Sequence, residues 1–257
     1  MKLLFYKYQG TGNDFIIIDN RKENFPKNDI QFISKLCDRK FGVGSDGLLL
    51  LENNDEFDFT MIYYNADGKL GSMCGNGGRC IVHFANYLGI IKNETEFEAV
   101  DGPHKASIKN GIVSLKMNDV KGVDVFDTHV FLDTGSPHHV QMVTNLEDYD
   151  VDTKGAHIRN TRYGEEGSNI NFVEAIDDQL FAVRTYERGV EGETLSCGTG
   201  VTAVAISLFE THKTTANSVR LATKGGILKV AFNKTNMGYS EIYLEGPAEL
   251  MFKGTWI

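Results

Sequence analysis

The sequence predicts a mixed α/β (α+β) chain of two similar lobes, each built from many short strands around one central helix. Three observations carry that prediction. Cys74-Gly75-Asn76-Gly77 and Cys197-Gly198-Thr199-Gly200 each run straight into a helical apolar pattern, Ile81, Phe84, Ala85 and Leu88 in one, Val201, Val204, Ala205 and Leu208 in the other. The two cysteines lie 123 positions apart, close to half of the 257 residues. The same offset relates Thr11-Gly12 to Thr134-Gly135, Gly44-Ser45 to Gly167-Ser168, and Gly102 to Gly225. These matches fall at glycine turns beside strand-like runs, where backbone geometry is most demanding, and so they read as an internal duplication.

Taken in order, the first lobe spans residues 1–120. Strands are predicted over Lys2–Tyr8, Phe15–Asp19, Phe57–Tyr64, Glu94–Val100, Ala106–Ile108 and Ile112–Met117, all short and rich in β-branched or aromatic residues. A helix is predicted over Ile30–Cys37, capped by Asn28 or Asp29. Asn65-Ala66-Asp67-Gly68 is a turn. The second lobe, 121–250, repeats the pattern with strands near Val123–Leu132, His139–Val143, Ile170–Ala175, Gln179–Tyr186, Ser218–Ala222, Ile227–Phe232 and Glu241–Leu244. Residues 251–257 form a tail that can return to the first lobe.

Composition bounds the function. The apolar share, 41%, suffices for a core in each half. No run approaches the roughly 20 apolar residues of a membrane span, and MKLLFYKYQG lacks the apolar stretch and cleavage site of a secretion signal. A formal net charge of −9 with no basic cluster argues against a nucleic-acid partner. Cys37, Cys74, Cys80 and Cys197 show neither disulfide-framework nor zinc-ligand spacing, so no metal is expected and a reducing cytoplasm is.

A cysteine at a helix start meets amide N–H groups and the positive end of the helix dipole, which favour its thiolate. Two such starts meeting across a cleft would put a sulfur on each side of a bound molecule and N–H groups around its carboxylate. One thiolate would then remove an α-proton from one face while the opposite thiol returns a proton to the other, inverting a stereocentre with no cofactor. Cys37, in an apolar helix pattern, and Cys80 read as packing.

The segments NADGKLGSMCGNGGRC and YERGVEGETLSCGTG, with GTGNDF near the start and GSPH midway, closely resemble the diaminopimelate epimerase family. The resemblance spans nearly the whole chain. It implies two pseudo-symmetric lobes, each a mostly antiparallel sheet or barrel wrapped around a central helix, and cofactor-independent interconversion of LL- and meso-diaminopimelate on the route to lysine and peptidoglycan precursors. It also implies a cytoplasmic homodimer. Carried over by motif, Cys74 and Cys197 are the acid/base pair, supported by His138 and Glu187. Gly75, Asn76, Gly198 and Thr199 match the cradle for the reacting carboxylate, while Asn13, Asn65, Asn169 and Arg188 match contacts to the distal end. Two positions depart from the family pattern: Ser136 replaces the asparagine of GNPH, and Gly47 stands where some members carry glutamine. Ser136 is still expected to line the pocket.

Two other isomerases share the resemblance more distantly. Proline and hydroxyproline racemases typically carry CGHG at the first cysteine, where this chain has Asn76. The phenazine-biosynthesis type does not use the cysteine pair. A non-catalytic duplicated binding module would need neither thiol.

Overall fold

The computed structural model describes residues 2–257. The chain forms two compact units, one comprising the residues up to Leu115 together with Gly246–Ile257, the other Lys116–Glu245. In the first, β1 (Leu3–Gly10) and β2 (Asn13–Asp19) form an antiparallel pair. Helix α1 (Ile30–Cys37) then crosses to β3 (Gly47–Glu52), which lies parallel to β2. Next, β4 (Thr60–Asn65) pairs antiparallel with β3. Helix α2 (Gly75–Tyr87) leads to β5 (Glu94–Ala99), parallel to β4, and β6 (Gly102–Lys109) and β7 (Ile112–Lys116) complete a meander.

The second unit repeats this scheme. β8 (Val123–Val125), β9 (Val130–Asp133) and β10 (Pro137–Met142) pair antiparallel, and α3 (Val151–Tyr163) crosses to β11 (Asn169–Ala175), parallel to β10. β12 (Leu180–Glu187) pairs antiparallel with β11 and carries the short β13 (Gly192–Thr194). Helix α4 (Gly198–Glu210) leads to β14 (Ser218–Thr223), parallel to β12, and antiparallel β15 (Gly226–Thr235) and β16 (Gly238–Pro247) follow. The last strand, β17 (Glu249–Trp256), pairs antiparallel with β1, in the place β8 holds against β9.

Each sheet is thus mostly antiparallel, with parallel joints only where a helix crosses over. The central helices hold their position by being buried nearly all round. In α2, Cys80, Ile81, Val82, Phe84 and Ala85 are buried, and the helix packs on β1, β2, β3, β4, β6 and β17. In α4 the run Val201–Leu208 is buried against β9, β10, β11, β12, β14 and β15, forming the main core of the second unit with Phe181, Leu221, Leu228 and Ile242. The outer helix α1 buries only Ile33, Leu36 and Cys37, and it is Asp29 that caps it, accepting from the Phe32 amide at 3.0 Å.

Two sequence expectations change. The predicted strand over 123–132 is two strands, because Phe126–His129 turns back on itself, the Phe126 N–H donating to His129 O at 2.9 Å. Gly102 corresponds to Gly226 rather than Gly225: both open a strand at positive φ (114° and 138°) and both pair across a tight turn, with Ala99 and Thr223. The offset has drifted by one residue after the central helices.

Candidate functional site

Each unit presents its cysteine in the same place. Cys74 and Cys197 are the N-cap residues of α2 and α4, both extended (φ −113°, ψ 121° and φ −126°, ψ 115°), and both helices run 13 residues. Neither side chain makes a capping hydrogen bond to its own helix. First-turn amides have no intrahelical acceptor, which makes each start a site for negative charge.

In the first unit, the turn between β1 and β2 brings Asn13 to the helix start. Its Oδ1 accepts from Cys74 Sγ at 3.6 Å and from Asn76 Nδ2 at 3.4 Å. Its Nδ2 donates to Asp46 Oδ2 at 2.6 Å. Asp46 and Asp14 are bridged by Arg39 Nη2, 2.7 Å from each carboxylate, and Lys7 reaches Asp14 from the buried side. Burial pushes the Asp14 carboxyl up, but Arg39 and Lys7 outweigh it and hold it down at about 2. Gly75 and Asn76 form the first turn of α2, and Asn76 is buried. Asn65 ends β4, exposed and opposite Gly47 in the register; its amide and carbonyl are taken by the Asn65–Lys69 turn.

In the second unit, Cys197 is buried and its Sγ lies 3.4 Å from Thr199 Oγ1. A Cβ at Gly200 would sit 2.6 Å from Asn171 Oδ1, so the glycine is what lets this helix start approach the buried amide. Asn171 Nδ2 donates to His139 O (2.9 Å), which fixes the amide's orientation, and Thr185 Oγ1 donates to Asn171 Oδ1 (2.9 Å). His138 Nδ1, 3.2 Å from the same Nδ2, must therefore be an acceptor, leaving the proton on Nε2. That Nε2 is buried with no hydrogen-bond partner among the described residues. Burial, with Arg188 adding to it, pushes the His138 pKa down to about 3, so the imidazole is neutral near neutrality.

The remaining residues form two groups. Asn169 Nδ2 donates to Ser136 Oγ at 2.9 Å and to Pro137 O at 3.1 Å, while its Oδ1 accepts the Arg188 backbone N–H at 2.9 Å. Arg188 Nη1 reaches Glu166 O at 3.0 Å. Glu187 Oε2 accepts from Thr194 Oγ1 at 2.9 Å. Ser136 lies 123 residues after Asn13 and Asn169 lies 123 after Asp46, and each of these pairs is hydrogen-bonded in its own unit.

The sequence profile of the diaminopimelate epimerase family matches residues 5–122 and 130–251. A diaminopimelate epimerase from Flavobacterium psychrophilum is 56% identical over 257 residues, covering 99% of this chain and 100% of its own. This chain belongs to the diaminopimelate epimerase family. Another member, from Chlorobaculum tepidum, is 43% identical over 96% of this chain and 98% of its own. Solved structures extend the fold well beyond the family. A Bacillus anthracis phenazine biosynthesis protein of the PhzF family superimposes with a TM-score of 0.81 at 13% identity, over 100% of this chain and 99% of that one. A hydroxyproline epimerase from Agrobacterium vitis reaches 0.69 at 14%, over 99% and 92%.

Within the family pattern, the departure at Gly47 has a steric reason. A Cβ there would lie 2.5 Å from the Tyr63 ring and 2.6 Å from Tyr64 O, and one at Gly71 would lie 2.5 Å from the same ring. The Tyr63 ring is sandwiched between two glycines beside Asn65. Asp46 and Asn171 escaped the sequence reading. Asp46 looks like a turn aspartate, though its offset from Asn169 was available as a signal; Asn171, inside the strand-like NINFVEA, gave none.

Proposed function

We propose that this chain converts LL-2,6-diaminopimelate into the meso isomer, without a cofactor, by moving a proton at one carbon between two thiol groups. The observation that carries the reading is the pair of cysteines at the N-cap positions of equivalent helices, in a chain 56% identical over 257 residues to a diaminopimelate epimerase. One sulfur, as thiolate, takes the α-proton and becomes a thiol. The other, as thiol, gives its proton to the opposite face of the carbon and becomes a thiolate. In the reverse reaction the roles exchange, which suits a duplicated architecture. The electron pair left by the α-proton spreads onto the adjacent carboxylate, and the amides of Gly75, Asn76, Gly198 and Thr199 are placed at helix starts that favour such charge.

The neutral His138, with an Nε2–H available to donate to a sulfur, and Glu187 support the thiols. Asn13, Asn65, Ser136, Asn169 and Arg188 hold the distal amino-acid end, which must stay fixed so that one centre alone inverts. Amides supply donors and acceptors for an amino acid, and arginine suits its carboxylate. The two units are read as the duplicated halves, and the reaction as one that works in the cytoplasm on the route to lysine and peptidoglycan precursors, a reading that the family membership supports. A homodimer is supported by β17, which pairs with β1 and leaves Met251 and Phe252 exposed, an apolar surface suited to a second copy.

Proton NMR of the reduced protein with LL-diaminopimelate in deuterium oxide tests the reading. Loss of the α-proton signal alongside meso product is expected, and Cys74→Ala or Cys197→Ala should each abolish it. No exchange by folded, reduced protein would refute the assignment.

A further inference from the structure

Alternation along the strands of the first unit sorts their side chains onto two faces. Ile16, Ile18, Leu48, Leu50 and Tyr64 pack with Ile33 and Leu36 of α1. The residues between them face the other way. A Cβ at Gly77, in the first turn of α2, would lie 3.4 Å from Met61 Cε, 3.5 Å from Leu49 Cδ2 and 3.6 Å from Cys74 Cβ. Tyr63 belongs to this second face, opposite Leu49 in the register and between Met61 and Asn65 along β4. The face that carries Tyr63 is therefore the one that supports the start of α2.

One step further along, the register sets Phe15, Gly47 and Asn65 in a single row. Gly47 leaves that row without a side chain, and the Tyr63 ring leans into the space. Its Cε2 and Cζ would lie 2.5 and 3.2 Å from a Cβ at Gly47. On the opposite edge, its Cδ1 and Cε1 would lie 2.5 and 2.6 Å from a Cβ at Gly71, which would also lie 3.1 Å from Asn65 Oδ1. The Gly71 N–H donates to Tyr63 O at 2.9 Å, which ties the two segments together. Phe15 meets the ring edge-on, with centroids 6.0 Å apart. Two glycines from separate segments thus admit one ring, and a side chain at either would displace it. Phe15, Leu49 and Met61 are buried, whereas Tyr63 is only half-buried. The ring is apolar surface left partly uncovered along β4, between the residue that touches the α2 start and Asn65.

The reading above puts the reacting carbon at the helix start and the distal end at Asn65. Methylenes join the two ends of the substrate, and they call for apolar surface rather than for donors or acceptors. We propose that Tyr63 is a specificity-determining residue whose ring is the surface those methylenes lie against, so that it sets the chain length the enzyme accepts. The proposal rests on the diaminopimelate reading.

Exchange of the α-proton in deuterium oxide, followed for LL-diaminopimelate and for its homologue one methylene longer, 2,7-diaminosuberate, tests it. Tyr63→Ala is expected to raise the KM for diaminopimelate about tenfold, more than it lowers kcat. It should also shift the ratio of kcat/KM values about tenfold toward the longer homologue, the size of effect one methylene has in an apolar pocket. Tyr63→Phe keeps the ring and with it the wild-type ratio. A purely structural tyrosine would lower the melting temperature in Tyr63→Ala and leave the ratio in place, which overturns the proposal. Should Tyr63→Ala not fold, Tyr63→Leu keeps an apolar side chain there and is expected to shift the ratio the same way; an unshifted ratio in that variant overturns the proposal equally. Wild-type enzyme that exchanges neither substrate would instead refute the diaminopimelate reading, a separate result.

Discussion

Asn13 meets Cys74 through one atom and Asp46 through another, and Asp46 is itself tied to Arg39. Removing that carboxylate frees the Asn13 amide to turn. Asp46→Ala is expected to raise the KM for diaminopimelate roughly tenfold, the worth of one charge-assisted bond of about 1.5 kcal/mol, with the fold intact by circular dichroism; Asp46→Asn should recover most of the loss. Gly47 poses a packing question. Gly47→Gln must displace the Tyr63 ring and press on Tyr64 O, and is expected to cost about 2 kcal/mol in urea unfolding. At this scale the sequence was legible where motif and glycine coincide, at Cys74, Cys197 and their first helical turns. It was silent where a polar side chain is buried inside a strand, as at Asn171, because alternation reports burial and not hydrogen-bond partners.

Helix α1 was readable because apolar spacing and a capping residue agree, and α2 and α4 because apolar spacing follows a Cys-Gly start in each. Helix α3 was not: in VDTKGAHIRNTRY only Val151 and Gly155 are buried, so no apolar stripe marks it. Strand β3, GLLLLE, hid for the opposite reason. Its Gly47–Leu51 are all buried, so there is no alternation, and leucine does not announce a strand. Gly155 exposes the balance within α3. Alanine gains about 1 kcal/mol of helix propensity over glycine, but a Cβ there would lie 2.4 Å from Tyr186 Cβ, on backbone-fixed ground. The clash wins, and Gly155→Ala is expected to lower stability by about 1–3 kcal/mol in chemical denaturation.

Across the whole molecule the two units share one order of strand pairings and helix crossovers, and the sequence shows this only at its turns. The paired serines illustrate why those turns persist: Ser45 Oγ donates to Gly47 O and Ser168 Oγ to Asn169 O, each to the first residue of the strand that follows its crossover helix. Elsewhere the repeat is kept as shape, with Phe15 and Leu48 in one unit where the other has His138 and Asn171. That exchange has a pH signature. His138 and His139 are pushed down to about 3 and about 4, chiefly by burial, from an ordinary 6.5. Below 6.5 the unfolded chain therefore binds protons that the folded one refuses, so stability is full above that pH and falls progressively toward pH 3. Thermal melts should show a falling melting temperature across this window, less steep in His139→Gln if that variant stays folded.

The pairing of β17 with β1 also sets an order of events during synthesis. Lys116–Glu245 is contiguous, so the second unit can fold as soon as it leaves the ribosome. The first unit begins earlier yet waits, with β1 lacking its outer neighbour, until residues 249–256 have emerged. The half that is translated first is thus the half that is finished last.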